Sequence, residues 1–150
     1  MHRWTSHDQL NENGEEPLLL HPCVDPPHTF IDVDDLAVVR EKQPAPTRGN
    51  DRARESIIVF GLNRSELVEE RLEHRKRILA LFSELELNLR QLPHLPAGPV
   101  KDETRTAAQT KLGTLRAERA PASPYLLMKT RLIDEFLARV GPELERLGFA

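Results

Sequence analysis

Hydrophobic residues recur at helical spacing along residues 64–92. No proline or glycine interrupts this stretch before Pro93. Asn63, three residues ahead of Glu66, suits a helix N-cap of the capping-box type. The apolar positions lie three or four residues apart, as on one face of an amphipathic helix: Leu67, Val68, Leu72, Ile78, Leu79, Leu81, Phe82, Leu85, Leu89 and Leu92. The pattern predicts a helix from Arg64 to about Leu92.

The preceding residues alternate or cluster in ways typical of strands. Thr29–Val33 alternates and predicts a strand, with Asp34-Asp35 as a turn and Leu36–Arg40 as the return strand. Glu41–Arg54 is polar and contains two prolines and a glycine, which favours a loop. Ser56–Phe60 is almost wholly β-branched and aromatic, so it is predicted to be a further strand.

The C-terminal third predicts two more helices. Pro93–Pro99 is a proline-rich connector, and Asp102–Ala120 predicts the second helix. Ser123-Pro124 predicts the start of the third, with serine as N-cap and proline at the first helical position. Gly141-Pro142 is expected to end it.

These elements predict an α+β fold. A two- to three-stranded sheet from residues 17–60 is expected to be covered by the long helix, because so small a sheet is not stable alone. A helical C-terminal part follows, its two helices packed as a hairpin. The predicted organisation is a disordered arm (1–15), a strand region plus long helix (16–92), a proline-rich linker (93–100) and a helical C-terminal segment (101–150).

Composition narrows the class of protein. The 21 basic and 24 acidic residues give a net charge of −3, so the chain lacks the excess of positive charge that favours binding to nucleic acid or to an anionic membrane. Apolar stretches such as Ser56–Gly61 fall far short of the roughly 20 residues that span a bilayer. Cys23 is the only cysteine, which excludes an internal disulfide and is compatible with a reducing cytoplasm. A cytoplasmic protein without membrane contact is expected.

The residues contain no complete catalytic or metal-binding constellation. The serines lack a nucleophile-elbow context, and no glycine loop for phosphate is present. His21, Cys23, Asp25 and His28 have metal-ligand side chains, but zinc sites normally need a recognisable second pair, so a proline-rich turn is the preferred interpretation. No catalytic and no metal-binding residue is therefore predicted.

Two other histidines and a run of basic residues are predicted to lie on the protein surface. His74 and His94 are expected to be exposed. A solvated helix face is preferred to a phosphate-binding role for Arg75-Lys76-Arg77, because acidic residues precede these positions and no aromatics interleave.

Three segments in this order resemble a known family: EPLLLHPCVDPPH at Glu16–His28, ESIIVFGLNRSEL at Glu55–Leu67, and SPY at Ser123–Tyr125. They are similar to the part that follows the catalytic core in HNH-family proteins of retron and Septu-type anti-phage systems, where such proteins accompany an ATPase. The resemblance covers about Glu15 to Leu92, with a fainter echo near Tyr125.

The resemblance implies a nuclease core that this chain lacks. In the family that core lies upstream, with an acidic-His metal motif, an Asn-Leu step and paired cysteines. The roughly fifteen residues ahead of the match contain none of these; His7-Asp8 is too isolated to be a remnant. A truncated gene product, a split subunit or a misassigned start codon is therefore expected. A divalent metal is expected only in the missing core, and no catalytic residue is carried over.

The resemblance also suggests roles for a few positions. Asn63 is expected to cap the helix at a strand-to-helix joint. Arg64 is expected either to reach the nuclease site or a nucleic-acid phosphate, or to be an ordinary surface arginine. Asp25 and His28 are candidates to close over the missing core.

Two functions follow as alternatives. The first is a non-catalytic C-terminal portion of an HNH-type endonuclease protein of a bacterial defence module, serving as a scaffold or docking region. Its partners would be an ATPase subunit and, through the parent protein, nucleic acid. The second is a free-standing helical interaction module unrelated to nucleic acid. Apolar residues in excess of what the small sheet covers, at Leu81, Leu87 and Leu92, favour a partner surface in either case.

Overall fold

The structure is a computed structural model, and it describes residues 18–21, 24–42, 49–121 and 123–149. The predicted disordered arm, residues 1–15, lies outside these ranges. The chain divides into two compact units. Of the described residues, the first unit comprises 18–21, 24–32, 39–42 and 49–64, and the second comprises 33–38, 65–121 and 123–149.

A short hairpin forms where the alternating pattern predicts one. Helix α1, Pro27–Phe30, leads into β1, Ile31–Val33, which pairs with β2, Val39–Glu41, in a two-stranded sheet. In the turn, the Oδ1 atom of Asp34 accepts hydrogen bonds from the N–H groups of Leu36 (2.9 Å) and Val38 (3.0 Å). The predicted hairpin is confirmed, but its predicted strand boundaries are wrong: Thr29 and Phe30 belong to α1, and β2 begins at Val39 rather than Leu36 and extends to Glu41.

The predicted strand Ser56–Phe60 is wrong. Helix α2 runs from Gly49 to Val59, so it also takes up the end of the predicted loop. Its inward positions are the small residues Ala53 and Ser56, which are 0% and 2% exposed. Small side chains three residues apart let a helix approach β2 closely, and this packing overrides the β-propensity of the apolar residues that follow.

A Schellman motif ends α2. Gly61 has a positive φ of 57°, which glycine adopts without strain. The N–H of Leu62 donates to the Ile57 carbonyl, and the N–H of Gly61 donates to the Ile58 carbonyl, both at 3.0 Å. These two bonds satisfy carbonyls at the helix end that would otherwise lack partners.

The second unit is a bundle of three long helices. Helix α3, Ser65–Gln91, is within one residue of the predicted boundaries at both ends. It packs against α4, Pro99–Glu118, and α5, Leu126–Arg146, with a 3₁₀ turn at Leu92–His94 between α3 and α4. The fold class is confirmed as α+β, a small sheet followed by a helical C-terminal part.

The bundle core is apolar and closely packed. The rings of Phe82 and Phe136 stack with centroids 4.0 Å apart and an interplanar angle of 3°. Leu92 is 1% exposed, so the prediction that it contributes to a surplus apolar surface is wrong. Leu81 is partly buried against the same core, and Leu87 is 54% exposed.

Both predicted boundaries of the last helix are wrong. Tyr125, in the left-handed region with φ of 57°, precedes α5 as its N-cap residue, whereas the Ser123 hydroxyl donates to Glu118. Pro142 lies inside the helix and is exposed. The final turn persists because Leu144 is buried in the core, which offsets the backbone hydrogen bond that proline removes. Among the described residues, no helix is long and apolar enough to cross a membrane.

Candidate functional site

The two main segments that carry the family resemblance are hydrogen-bonded to each other in the first unit. The N–H of Leu20 donates to the Ser56 Oγ atom at 2.8 Å. The Nη2 atom of Arg52 donates to the Asp25 carboxylate at 2.6 Å and to the Leu19 carbonyl at 2.9 Å. Residues far apart in sequence are thus joined through α2.

Asp25 has a structural role in this unit. Its side chain is only 13% exposed and forms an ion pair with Arg52, and its Oδ2 atom also accepts the His21 N–H at 2.7 Å. The His28 side chain is exposed on α1, and its carbonyl accepts a hydrogen bond from Lys42 Nζ at 2.9 Å. The suggested closing role of Asp25 and His28 stays a prediction. Cys23 lies outside the described residues.

Asn63 is bonded to the hairpin. Its Oδ1 atom accepts the Val39 N–H at 2.7 Å, and its Nδ2 atom donates to the Val39 carbonyl at 2.8 Å. Helix α3 begins only at Ser65, so the predicted capping role of Asn63 is wrong. The side-chain amide instead occupies the edge of β2, as a neighbouring strand would.

Large apolar side chains are exposed at the end of α2 and immediately after it. Ile58, Val59 and Phe60 are 65%, 59% and 49% exposed, whereas the buried positions of the same helix are Ala53 and Ser56. A helix packed only against its own unit normally shows the opposite distribution, with large apolar residues inward. We call Ile58 and Val59 of α2, together with Phe60 immediately after the helix, the apolar end of α2.

Arg64 follows this apolar end in the turn between α2 and α3. Its side chain is exposed, and its backbone N–H donates to the Gly61 carbonyl at 3.2 Å. Arginine is enriched at interfaces, so an exposed arginine close in sequence to exposed apolar residues is compatible with a binding role. The nucleic-acid role suggested for Arg64 stays a prediction.

A second group of polar residues lies at one end of the bundle, and sequence reasoning missed it. Lys129 on α5 is 1% exposed and pairs with the Glu118 carboxylate at the end of α4. The Ser123 hydroxyl lies 3.0 Å from both the Lys129 Nζ atom and the Glu118 Oε2 atom. We call this group, with the residues described next, the polar cluster.

The α3 side of the polar cluster is built around Tyr125. Its hydroxyl donates to the Glu70 carboxylate, and its ring meets the His74 ring edge-on with centroids 5.1 Å apart. His74 is therefore partly buried, and the predicted exposed position of this side chain is wrong. An open cleft of about 330 Å³ adjoins His74, Glu118 and Lys129.

Burial and pairing set the charge states in the polar cluster. The hydrogen bond from Lys129 lowers the pKa of the Glu118 carboxyl, against the opposing effect of burial. Burial, reinforced by the charges of Lys129 and Arg77, lowers the pKa of His74. The hydrogen bond to Glu70 raises the pKa of the Tyr125 hydroxyl. Near neutral pH, the cluster therefore holds an ionised Glu118 carboxylate beside a neutral histidine and a neutral tyrosine.

A signal in the sequence marks two buried charged residues. Lys129 precedes Ile133 by four residues and lies in register with the apolar stripe of α5. Arg71, 5% exposed, precedes Ile78 by seven residues in the stripe of α3. A charged residue at a core position of an amphipathic helix requires a partner, and this rule would have singled out both residues.

The polar cluster is suited to holding helices together. Its lysine, carboxylates and hydroxyls bond to one another, and the neutral tyrosine is a weak acid rather than a base. Among the residues that the structure describes, no three His, Cys, Asp or Glu side chains are placed to hold a metal ion. The divalent metal of an HNH core stays a prediction.

Comparison with known proteins supports one part of the family resemblance. Over 138 aligned residues the chain is 29% identical to the Septu protein PtuB of Bacillus mycoides (strain KBAB4). The alignment covers 85% of this chain and 44% of that protein, so the chain spans less than half of its relative's length. No family model and no solved structure matches the chain. The similarity supports a relationship with Septu-type systems, and the HNH and retron links stay predictions.

Proposed function

We propose that this chain is a non-catalytic docking portion of an HNH-type endonuclease protein in a Septu-type anti-phage defence module. The similarity to PtuB supports the assignment to a defence system. The nuclease core, with its divalent metal, is proposed to belong to the portion of a PtuB-like protein that lies outside the alignment. An ATPase subunit is the proposed further partner.

The apolar end of α2 is the observation that carries the docking role. Ile58 and Val59 of α2 and Phe60 immediately after it are about half or more exposed, whereas the inward positions of the helix are alanine and serine. Such an arrangement leaves apolar surface in water that burial against a partner would stabilise, at roughly 25 cal/mol per Å². Contiguous exposed apolar residues typically mark an interaction site.

The hydrogen bonds of the first unit support the same role. Arg52 and Ser56 tie the preceding segment to α2, and Asn63 ties the following turn to the hairpin. The apolar end of α2 is therefore presented on a constrained framework. A preorganised surface loses less conformational entropy when it binds, so its contacts contribute more to affinity.

The second unit is proposed to act as the scaffold. Its three helices share one core, and its buried Lys129–Glu118 pair is satisfied internally. Arg64 is proposed to contact a partner or a nucleic-acid phosphate of the assembled parent protein. The overall charge of −3 argues against nucleic-acid binding by the chain alone.

Affinity purification of the tagged full chain from its native host, with mass spectrometry of the bound polypeptides, tests the proposal. We expect sequences similar to the part of PtuB outside the alignment, together with an ATPase. The same sequences must be absent when the tag is carried by an unrelated protein.

A different set of partners would favour the alternative function. The alternative is a free-standing helical interaction module, which the self-contained core of the second unit favours. A helical partner recovered with neither nuclease nor ATPase sequences would support this alternative and overturn the proposed function.

A further inference from the structure

We propose that the Tyr125 side chain is a latch that fastens the connection between α4 and α5 to α3, and that acidification opens this latch. Of the connection, the structure describes residues 119–121 and 123–125. The opened latch exposes the buried side chain of Lys129 to water. This inference concerns the second unit and is independent of the docking role of α2.

Tyr125 has a strained backbone. Its φ of 57° lies in the left-handed region, which a bulky residue rarely adopts. Such a conformation persists only where the surrounding structure holds it in place. The backbone at Tyr125 can therefore relax to an ordinary conformation once its side chain is released.

The Tyr125 side chain is held by two titratable residues of α3. Its hydroxyl donates to the Glu70 carboxylate, and its ring meets the His74 ring edge-on with centroids 5.1 Å apart. Glu70 and His74 are four residues apart and lie on the same face of the helix, so one side chain contacts both. Loss of either contact weakens the hold on the strained residue.

Two further attachments join the connection to α4 and α5. The Ser123 hydroxyl lies 3.0 Å from both the Lys129 Nζ atom and the Glu118 Oε2 atom. The ion pair of Arg119 with Asp134 is 41% and 50% exposed, and ion pairs in water contribute little to stability. Neither attachment involves α3, and contact with that helix is made through Tyr125.

His74 makes the latch sensitive to pH. The charged groups that face this histidine come from all three helices of the bundle: Glu70 and Arg77 on α3, Glu118 on α4 and Lys129 on α5. Partial burial, reinforced by the two basic groups, outweighs the two carboxylates and lowers the pKa of His74. Proton uptake therefore favours conformations in which His74 lies in water, and withdrawal of the Tyr125 ring produces such a conformation.

Opening changes the surroundings of Lys129. In the closed latch this side chain is 1% exposed, although a cleft of about 330 Å³ adjoins it together with His74 and Glu118. Movement of residues 123–125 away from α3 withdraws the Ser123 hydroxyl from the Lys129 Nζ atom and admits water from the cleft. The latch therefore makes access to a buried lysine depend on pH.

Amide hydrogen exchange of the full chain, followed by NMR at pH 7.5 and pH 5.5, tests the latch. The reporter is the Lys129 N–H, which donates to the Tyr125 carbonyl at 3.2 Å. Leu85, 0% exposed on α3, reports global unfolding. After correction for the intrinsic exchange rate, we expect Lys129 to be at least about tenfold less protected than Leu85, with a weaker dependence on urea.

Two histidine variants isolate the effect of pH. His74→Gln removes the titrating group, and His94→Gln is the matched control because His94 is exposed in the same unit. Between pH 7.5 and pH 5.5, protection at Lys129 should fall at least about fourfold in the wild type and in His94→Gln. In His74→Gln it should stay within about twofold. Circular dichroism checks each fold, and His74→Asn replaces His74→Gln if that variant unfolds.

Tyr125→Phe tests the latch at constant pH. The substitution keeps the ring and removes the hydrogen bond to Glu70, so protection at Lys129 should fall about threefold or more at pH 7.5. A change within about twofold would overturn the inference. Equal losses on acidification in His74→Gln and His94→Gln would also overturn it, as would a Lys129 amide that matches Leu85 in both protection and urea dependence.

Discussion

The side-chain amide of Asn63 satisfies both backbone hydrogen-bonding groups of Val39, 24 residues earlier in the chain. Its oxygen accepts at 2.7 Å and its nitrogen donates at 2.8 Å, the pattern that a paired strand would supply. Val39 is only 6% exposed, so water cannot readily replace Asn63 as the hydrogen-bonding partner of its backbone groups.

Asn63→Ala is expected to destabilise the first unit by about 1–3 kcal/mol, because two backbone groups of Val39 lose their partners. Asn63→Asp keeps the acceptor but turns a carboxylate oxygen toward the Val39 carbonyl, so it should also destabilise the unit. Urea unfolding gives the free energy, and hydrogen exchange at the Val39 amide gives the local effect. Gln91→Ala, at an exposed helix end, is the control; equal exchange rates in the two alanine variants would contradict the role of Asn63.

Glu118→Gln is expected to destabilise the bundle by about 2–4 kcal/mol, because the buried Lys129 ammonium loses its charge partner. Glu118→Gln combined with Lys129→Met should recover part of this loss, since the double variant leaves no uncompensated buried charge. Glu135→Gln, in an exposed pair with Arg131, should cost no more than about 1 kcal/mol. Urea unfolding at pH 7 measures all three. Equal effects of Glu118→Gln and Glu135→Gln would refute the buried-pair interpretation.

His74 is expected to make stability fall as the pH falls below neutrality. Its folded pKa lies below the ordinary value of 6.5, so the unfolded chain takes up the proton first and is stabilised by it. This loss begins near the unfolded pKa and levels off below the folded one. The wild type should therefore lose more stability than His74→Gln between about pH 7 and pH 5. Urea unfolding across this range measures the difference, and parallel pH curves would contradict the lowered pKa.

Phe82→Ala is expected to cost about 3–5 kcal/mol, because Phe82 is buried and stacks on Phe136. Phe60→Asp removes an aromatic ring of the same size at an exposed position, so its cost should stay within about 0.5 kcal/mol. Thermal or urea unfolding of both variants provides the comparison. A large loss in Phe60→Asp would mean that the apolar end of α2 is needed for folding rather than for docking.

The hydrophobic pattern predicted the elements whose packing is local and amphipathic. The long helix α3 was predictable because its apolar residues repeat at helical spacing over many turns. The hairpin was predictable because Asp34 follows an alternating run and has a side chain that stabilises turns.

Helix α2 was not predicted because its inward face is short and composed of small residues. Ala53 and Ser56 carry little hydrophobic signal, while Ile57–Phe60 has strong β-propensity. Gly61 is compatible with a preceding helix as well as with a preceding strand, since glycine is typical of the position just after a helix and of a strand end. Only the packing against β2 decides between these interpretations.

The polar cluster could not be predicted from the sequence, because it is formed by contacts between residues that are distant in the chain. Tyr125 and Glu70 are 55 positions apart, and nothing in either local sequence specifies the other. Lys129 and Arg71, by contrast, occupy apolar positions of their helices, which is a detectable local irregularity. Periodicity thus locates buried charges, but their partners follow only from the tertiary structure.

A plasmid-nicking assay tests most directly the claim that this chain docks rather than cuts. The purified full chain is incubated with supercoiled plasmid and Mg²⁺ or Mn²⁺, beside the assembly purified from the native host through the same chain. We expect the chain alone to leave the plasmid supercoiled, and the assembly to convert it to nicked circles in a reaction that EDTA stops. Metal-dependent nicking by the chain alone would contradict this claim.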